Sequence, residues 1–147
     1  MKIVDLKTDN RKDNNNVGRA IPVFGWRAEG TERNIRQKSY RLQVWKTESP
    51  EEILAEPFPV WDSGTVCSSS MANIPYEGKK LDSGSRYRWQ VECTLDYEDG
   101  EKNTTEEAWF ETGLFSMDDW KGCFIGETED HVYHLYRKAF TCERKVK

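Results

Sequence analysis

The chain has 147 residues, enough for one domain with a real core and a short appendage. A formal net charge of −4 argues against a nucleic-acid partner, and the basic residues, scattered among acidic and apolar ones, form no patch for a membrane surface. No apolar run approaches the roughly 20 residues that a membrane helix needs, while six Trp, six Tyr and six Phe suit sheets better than helices.

Met1 leads into "KIVDLKTDN", a weak strand candidate without the apolar core of a signal peptide, so the expected location is cytoplasmic. "RKDNNNVG" reads as a polar, mobile loop. "IPVFGWRAEG" then alternates, with Phe24, Trp26 and Ala28 on one face. "SYRLQVWK" sends Tyr40, Leu42 and Val44 inward and Trp45 outward. "SPEEILAEP" predicts the one short helix, with Ser49 as N-cap, Glu52 completing a capping box and Pro57 as stop.

Two weaker strands follow, "PVWDSGTV" and "ANIPY", the second at a sheet edge because Pro75 has no N–H to donate to a ladder. "RYRWQVECTL" carries the clearest signal. Tyr87, Trp89, Val91, Cys93 and Leu95 share one face, and Arg86, Arg88, Gln90, Glu92 and Thr94 the other. "DYEDGE" supplies a hairpin turn at Asp99-Gly100, and "EEAWFET" returns with Ala108 and Phe110 inward and Trp109 outward. "SMDDW" reads as a single turn, capped at Ser116, that pins Trp120 against the preceding strands. From Val132 to Phe140 a second strand-like stretch begins. About seven short strands separated by turn signals predict an all-β sandwich.

Chemistry-bearing residues are many but poorly placed. Cys67, Cys93, Cys123 and Cys142 form no C-x-x-C pair and are expected as reduced thiols. His131 and His134 would point to opposite faces of a strand, so no metal site is expected there. The acidic set Glu51, Glu52, Asp96, Glu98, Asp99, Glu101, Asp118 and Asp119 falls in turns or on wet strand faces, where a carboxyl keeps its ordinary pKa and makes a poor general acid. "DYEDGE" lacks the distal glutamate of a calcium loop, and Asn103 in "NTT" matters only in a secreted eukaryotic setting. For the outward Trp45 and Trp109 three readings stand open: core residues displaced by one register, a dock for a neighbouring domain, or a platform for a sugar ring.

"LDSGSRYRWQVE" resembles the fibronectin type III pattern, in which a leucine precedes a turn and a tyrosine opens the penultimate strand. Leu81 and Tyr87 would form that tyrosine corner, the ring packed inward and the hydroxyl bonded to nearby backbone. A longer series, "PVFGWRAEG", "QKSYRLQVWKT", "VWDSGTV", "IPYEGKKLDSGSRYRWQV", "WFETGLFSMDDWKGCFIG" and "YRKAF", is similar in order and spacing to the N-terminal part of bacterial α-L-rhamnosidases. The resemblance implies a fibronectin type III or immunoglobulin-like β-sandwich over residues 1–115. Residues 116–147 would then be a linker and the first strand of a truncated following domain. The family's catalytic carboxylates lie far downstream on an α/α barrel, so the resemblance assigns this chain no catalytic residue, no cofactor and no metal.

The function expected on that basis is a non-catalytic spacer or docking module of a glycoside hydrolase that removes terminal rhamnose. Its partners would be the remaining domains of the parent enzyme, with carbohydrate as a second ligand class and neither nucleic acid nor membrane. A stand-alone carbohydrate-binding module and a fibronectin-like protein-interaction module are the competing expectations. The unpaired tail strand would also pair two copies of the fragment into a homodimer.

Overall fold

Alternating aromatic and β-branched residues favour a pleated surface with one buried face, and the backbone follows that pattern closely. The computed structural model describes residues 1–12, 14–30, 34–47, 58–98, 100–123, 136–139 and 141, with backbone only at 14 and 15. Among them eight strands occur: β1 (Lys2–Thr8), β2 (Asn14–Val17), β3 (Val23–Glu29), β4 (Arg36–Thr47), β5 (Trp61–Asp62), β6 (Ile74–Pro75), β7 (Arg86–Tyr97) and β8 (Gly100–Thr112). They form a three-stranded sheet in the order β1-β3-β6 and a five-stranded sheet in the order β2-β8-β7-β4-β5. The all-β sandwich expected from the alternation is the observed fold.

The core lies between the sheets. Tyr87, Trp89, Val91, Cys93 and Leu95 of β7 are buried, as are Tyr40, Leu42 and Val44 of β4 and Phe110 of β8. Phe24, Trp26, Ile3 and Ile74 close the layer from the small sheet. The Phe24 ring sits 4.7 Å from Trp89 and 6.0 Å from Phe110, and Tyr87 stacks on Phe110 at 5.4 Å. Aromatic pairs at these separations add about 0.5–1.5 kcal/mol beyond the area they bury.

Three features differ from the sequence expectations. The Asn-rich stretch is not all loop, because Asn14–Val17 forms β2, which runs parallel to β8 and buries Val17 completely. The chain reaches it through a two-residue turn in which Asp9 and Asn10 both take positive φ and Thr8 and Arg11 exchange backbone hydrogen bonds. Short Asx side chains tolerate that conformation, and a lone apolar residue at Val17 then seals the sandwich edge. Second, a register shift between Gln37 and Ser39 inserts an extra residue in β4 and turns Gln37 inward, out of phase with Tyr40, Leu42 and Val44. Gln37 accepts from the Trp26 indole at 3.0 Å and donates to the Ser68 and Ser70 carbonyls, so it ties the two sheets to the crossing segment. Third, β8 begins at Gly100, and the pair Tyr97–Gly100 closes the hairpin one residue earlier than the expected Asp99-Gly100 turn. Asp99 itself lies outside the described residues.

The expected helix at 49–57, His131, His134, Cys142 and most of the tail strand also lie outside the described residues. Of that tail, residues 136–139 are exposed and carry no strand. At the sheet edges, β6 carries Pro75 and among the described residues pairs only with β3, consistent with a residue that cannot donate. β5 is held to β4 by "WDSG". The Asp62 carboxylate accepts from Arg41 Nε at 2.9 Å and from the Gly64 N–H at 2.9 Å, while Ser63 Oγ accepts from the Leu42 N–H at 2.8 Å. Gly64 takes φ of +62°, which a residue with a Cβ adopts only under strain.

Candidate functional surface

The outer face of the five-stranded sheet takes its arrangement from strand register. Trp45 on β4, Arg88 on β7 and Trp109 on β8 lie directly opposite one another in one row. The Arg88 guanidinium carbon stands 4.9 Å from the centre of the Trp45 ring, and that of Arg86 stands 5.5 Å from the Trp109 ring. Each arginine is held in turn by a carboxylate of β8: Arg88 Nη1 donates to Glu107 Oε2 at 3.1 Å, and Arg86 donates through Nε at 2.6 Å and through Nη2 to Glu111 Oε1. The result is a ladder of cation–π pairs braced by ion pairs.

Both sequence-selected tryptophans therefore face outward, as their parity requires, but neither presents an open ring. Trp45 is 8% exposed and Trp109 is half-buried. Arg86, 9% exposed, keeps Nη1 buried and without a hydrogen-bond partner, while the same guanidinium caps Trp109. Alternation along a single strand reports which way a side chain points. It carries no information about what a cross-strand neighbour lays over it, so alternation puts Arg86 and Arg88 on the wet face while only the register brings them, with Glu107 and Glu111, over the two tryptophans.

At one end of the ladder a shallow cleft of about 450 Å³ is lined by Lys46, Thr47, Gly84, Ser85, Arg86, Glu111 and Thr112. Its floor is the corner that "LDSG" and "FETG" build together. Tyr87 packs its ring into the core, and its hydroxyl accepts from the Asp82 N–H at 2.8 Å; Leu81 is buried beside it and donates its N–H to the Ala20 carbonyl at 3.1 Å. Burial raises the Tyr87 phenol above its ordinary pKa and leaves the hydroxyl neutral. Thr112 Oγ1 lies 2.7 Å from the Asp82 carbonyl and accepts from the Ser85 N–H at 2.9 Å, while the Gly113 N–H reaches Val17 at 2.9 Å. The corner turns through Gly84 at φ +60°. These contacts tie the Tyr87 and Thr112 hydroxyls to backbone and backbone to backbone, so the motif's residues are spent on folding.

The described carboxylates with resolved shifts all move downward. Lys12 and Lys7 hold Asp5 below its ordinary value, Arg41 does so for Asp62, and for Asp119 the Ser83 hydroxyl and then the Ser116 N–H do so. A glycosidic general acid needs the opposite displacement. Lys38 bonds Glu101, and Asp96, Glu98 and Asp118 are exposed; Glu51, Glu52 and Asp99 lie outside the described residues. Asn103 donates to Glu92 Oε1 at 3.2 Å within the hairpin. Cys67 and Cys123 are exposed free thiols, and Cys93 is a buried one that donates to Gln37 Oε1. Burial pushes the Cys93 thiol up to about 12.

Past Thr112 the chain leaves the sandwich through a 3-10 turn at Met117–Asp119. The Asp119 carboxylate accepts from the Ser116 N–H at 3.0 Å and the Phe115 N–H at 3.2 Å, and Ser83 Oγ also accepts from Phe115 at 3.3 Å. Trp120 is not pinned against the strands, as "SMDDW" suggests, but is 54% exposed. The turn is closed by its own backbone and by Ser83, which leaves the indole free to point away.

Comparison with known proteins places this geometry in context. Residues 3–116 match the family model described as "Rha78A-like, N-terminal immunoglobulin domain". An α-L-rhamnosidase of Formosa agariphila is 36% identical over 139 residues, covering 86% of this chain and 15% of that protein; one of Alteromonas sp. (strain LOR) is 33% identical over 108 residues, covering 73% and 11%. Among solved structures, the Streptomyces avermitilis α-L-rhamnosidase complexed with L-rhamnose superposes with a TM-score of 0.69 at 26% identity, over 82% of this chain and 11% of that one. The α-L-rhamnosidase of Dictyoglumus thermophilum gives 0.68 at 31% identity, over 82% and 13%. The chain thus spans 10–15% of the length of the curated relatives it matches.

Proposed function

This chain belongs to the Rha78A-like N-terminal immunoglobulin domains, and from that premise we propose that it is a non-catalytic accessory module, spacer and dock in one, at the front of an α-L-rhamnosidase. In this proposal residues 1–115 are the module, and residues 116–147 are the linker and opening strand of the domain that follows. The parent would hydrolyse terminal rhamnose from glycans or glycosides, and the module's partners would be the parent's other domains.

The observation that carries the proposal is coverage: relatives named α-L-rhamnosidase align with this chain over only 10–15% of their own length. The electrostatics support the same reading. A retaining or inverting glycosidase needs one carboxyl kept protonated by its surroundings, whereas the shifted carboxyls here, Asp5, Asp62 and Asp119, are all held ionised by cations or hydrogen-bond donors.

The test is direct. The purified chain, incubated with a chromogenic α-L-rhamnoside, is expected to release chromophore no faster than the buffer blank; turnover clearly above the blank defeats the proposal. Sugar binding by Trp45 and Trp109 has less support, since an arginine already occupies one face of each ring. Tryptophan fluorescence titrated with L-rhamnose is therefore expected to stay flat.

A further inference from the structure

The exit turn carries an unusual concentration of uncovered apolar surface. Among the large apolar side chains exposed in the described residues, Leu114 (48%), Met117 (77%) and Trp120 (54%) fall within seven consecutive positions. The 3-10 turn between them buries nothing. Single exposed apolar residues need no explanation, but a cluster does.

The cluster is also held in shape. Asp119 and Ser83 fix the backbone of Phe115 and Ser116. The Trp120 indole lies against Gly122, where a Cβ would come within 3.0 Å of three ring atoms. On the other side a Cβ placed on the corner glycine Gly84 would meet the Leu114 side chain at van der Waals distance. A turn that orders its backbone and still leaves a methionine and a tryptophan in water is preorganised for contact: the ordering entropy that weakens most docking events is already spent. Tryptophan and methionine are also the side chains enriched at the centres of interfaces.

Sequence likeness continues through this segment. The family match stops at residue 116, yet the Formosa agariphila relative aligns with 86% of the chain, about 126 residues, more than the first 116 can supply. Similarity therefore runs at least ten residues past Ser116, along the path by which a longer polypeptide would continue. The outer-sheet ladder, by contrast, has its tryptophans already capped.

We infer that Leu114, Met117 and Trp120, presented by the Asp119-locked turn, form the seat on which the next domain of the same polypeptide rests. The inference builds on the accessory-module reading and gives that reading a location. The seat belongs to the exit pole of the sandwich, and Trp45 and Trp109 serve the module's own stability.

Hydroxyl-radical footprinting read by mass spectrometry tests this, comparing the 147-residue chain with the complete product of its gene. In the 147-residue chain Met117 and Trp120 should oxidise rapidly at every protein concentration. In the complete product both should slow by about five-fold or more, as side chains at the dry centre of an interface do, while Trp109 stays unchanged. Equal oxidation of Met117 and Trp120 in both proteins, or protection that falls on Trp109 instead, overturns the inference alone. Protection that rises with concentration in the 147-residue chain assigns the surface to a second copy and overturns it as well. A gene product that stops at Lys147 removes the accessory-module reading and the inference together.

Discussion

Two tryptophan-bearing regions of this molecule behave in opposite ways. On the outer face of the five-stranded sheet, Trp45 and Trp109 sit where alternation puts solvent, yet Arg88 and Arg86 cover them and Glu107 and Glu111 hold the arginines down. In the exit turn, Trp120 follows a capped turn that ought to fold it back, yet it stands 54% exposed. The difference shows that outward is not the same as accessible. A long cation on a neighbouring strand can bury an outward ring through its own methylene stem and planar head, and a turn satisfied by its own backbone has no need of an aromatic anchor.

The sharpest way to break the contrast is to truncate the aromatic that should matter most. Trp45→Ala is expected to lower unfolding free energy by about 3 kcal/mol, at the low end of large-to-small losses for buried aromatics, read as a shift of the urea midpoint at unchanged slope. A loss below about 1 kcal/mol would mean that Trp45 is surface after all. Next in size, Arg86→Ala should cost about 2–3 kcal/mol, because it uncaps Trp109 and removes the guanidinium paired with the partly buried Glu111 carboxylate. The double change Arg86→Met with Glu111→Leu should restore much of that, and failure to do so would place the loss in backbone rather than in charge.

The exit turn should respond locally. Asp119→Ala is expected to speed amide exchange at Phe115 and Ser116 while leaving the β7–β8 ladder protected. The same lock sets a pH dependence: the Asp119 carboxyl is held below its ordinary value by Ser83 and the Ser116 N–H. A group depressed in the folded state contributes above its unfolded pKa and loses that contribution as pH falls through the folded one. Protection of the two amides should thus be complete at neutral pH and disappear only in acid, beneath the usual carboxylate range. Smallest of all, Trp120→Ala should move stability by no more than about 0.5 kcal/mol. A larger loss would show that the indole packs on the sandwich and would close the contrast from the other side.

Much of the fold was legible in advance, for a physical reason that differs from strand to strand. β7 announces itself because ten consecutive residues alternate without a break, and the buried half of that alternation, Tyr87 to Leu95, is the middle of the core. β3 and the inner face of β4 follow the same rule. β2 reads as loop in the sequence because its partner is β8, nearly a hundred residues away, and only Val17 among its polar neighbours hints at burial. Gln37 escapes the alternation because a one-residue bulge reverses the parity that Tyr40, Leu42 and Val44 set up. Of the candidate site residues, Tyr87 and Leu81 could be assigned from a local pattern, since the hydroxyl's partner, the Asp82 N–H, is five residues away. The covering of Trp45 and Trp109 could not, because it depends on which strands lie side by side.

By itself, then, the amino-acid sequence determined the elements whose information is local: the alternation that makes two-faced strands, the Asx and glycine turns, the proline at a sheet edge, the tyrosine corner and the family likeness carried by "WDSG" and "FETG". Tertiary structure alone decided the register between strands, and with it which cation lies on which ring, which glutamine enters the core and which apolar side chains are left in water. A strand's pleat is set by its own backbone sterics, whereas coverage of any side chain is set by atoms that arrive from elsewhere in the chain.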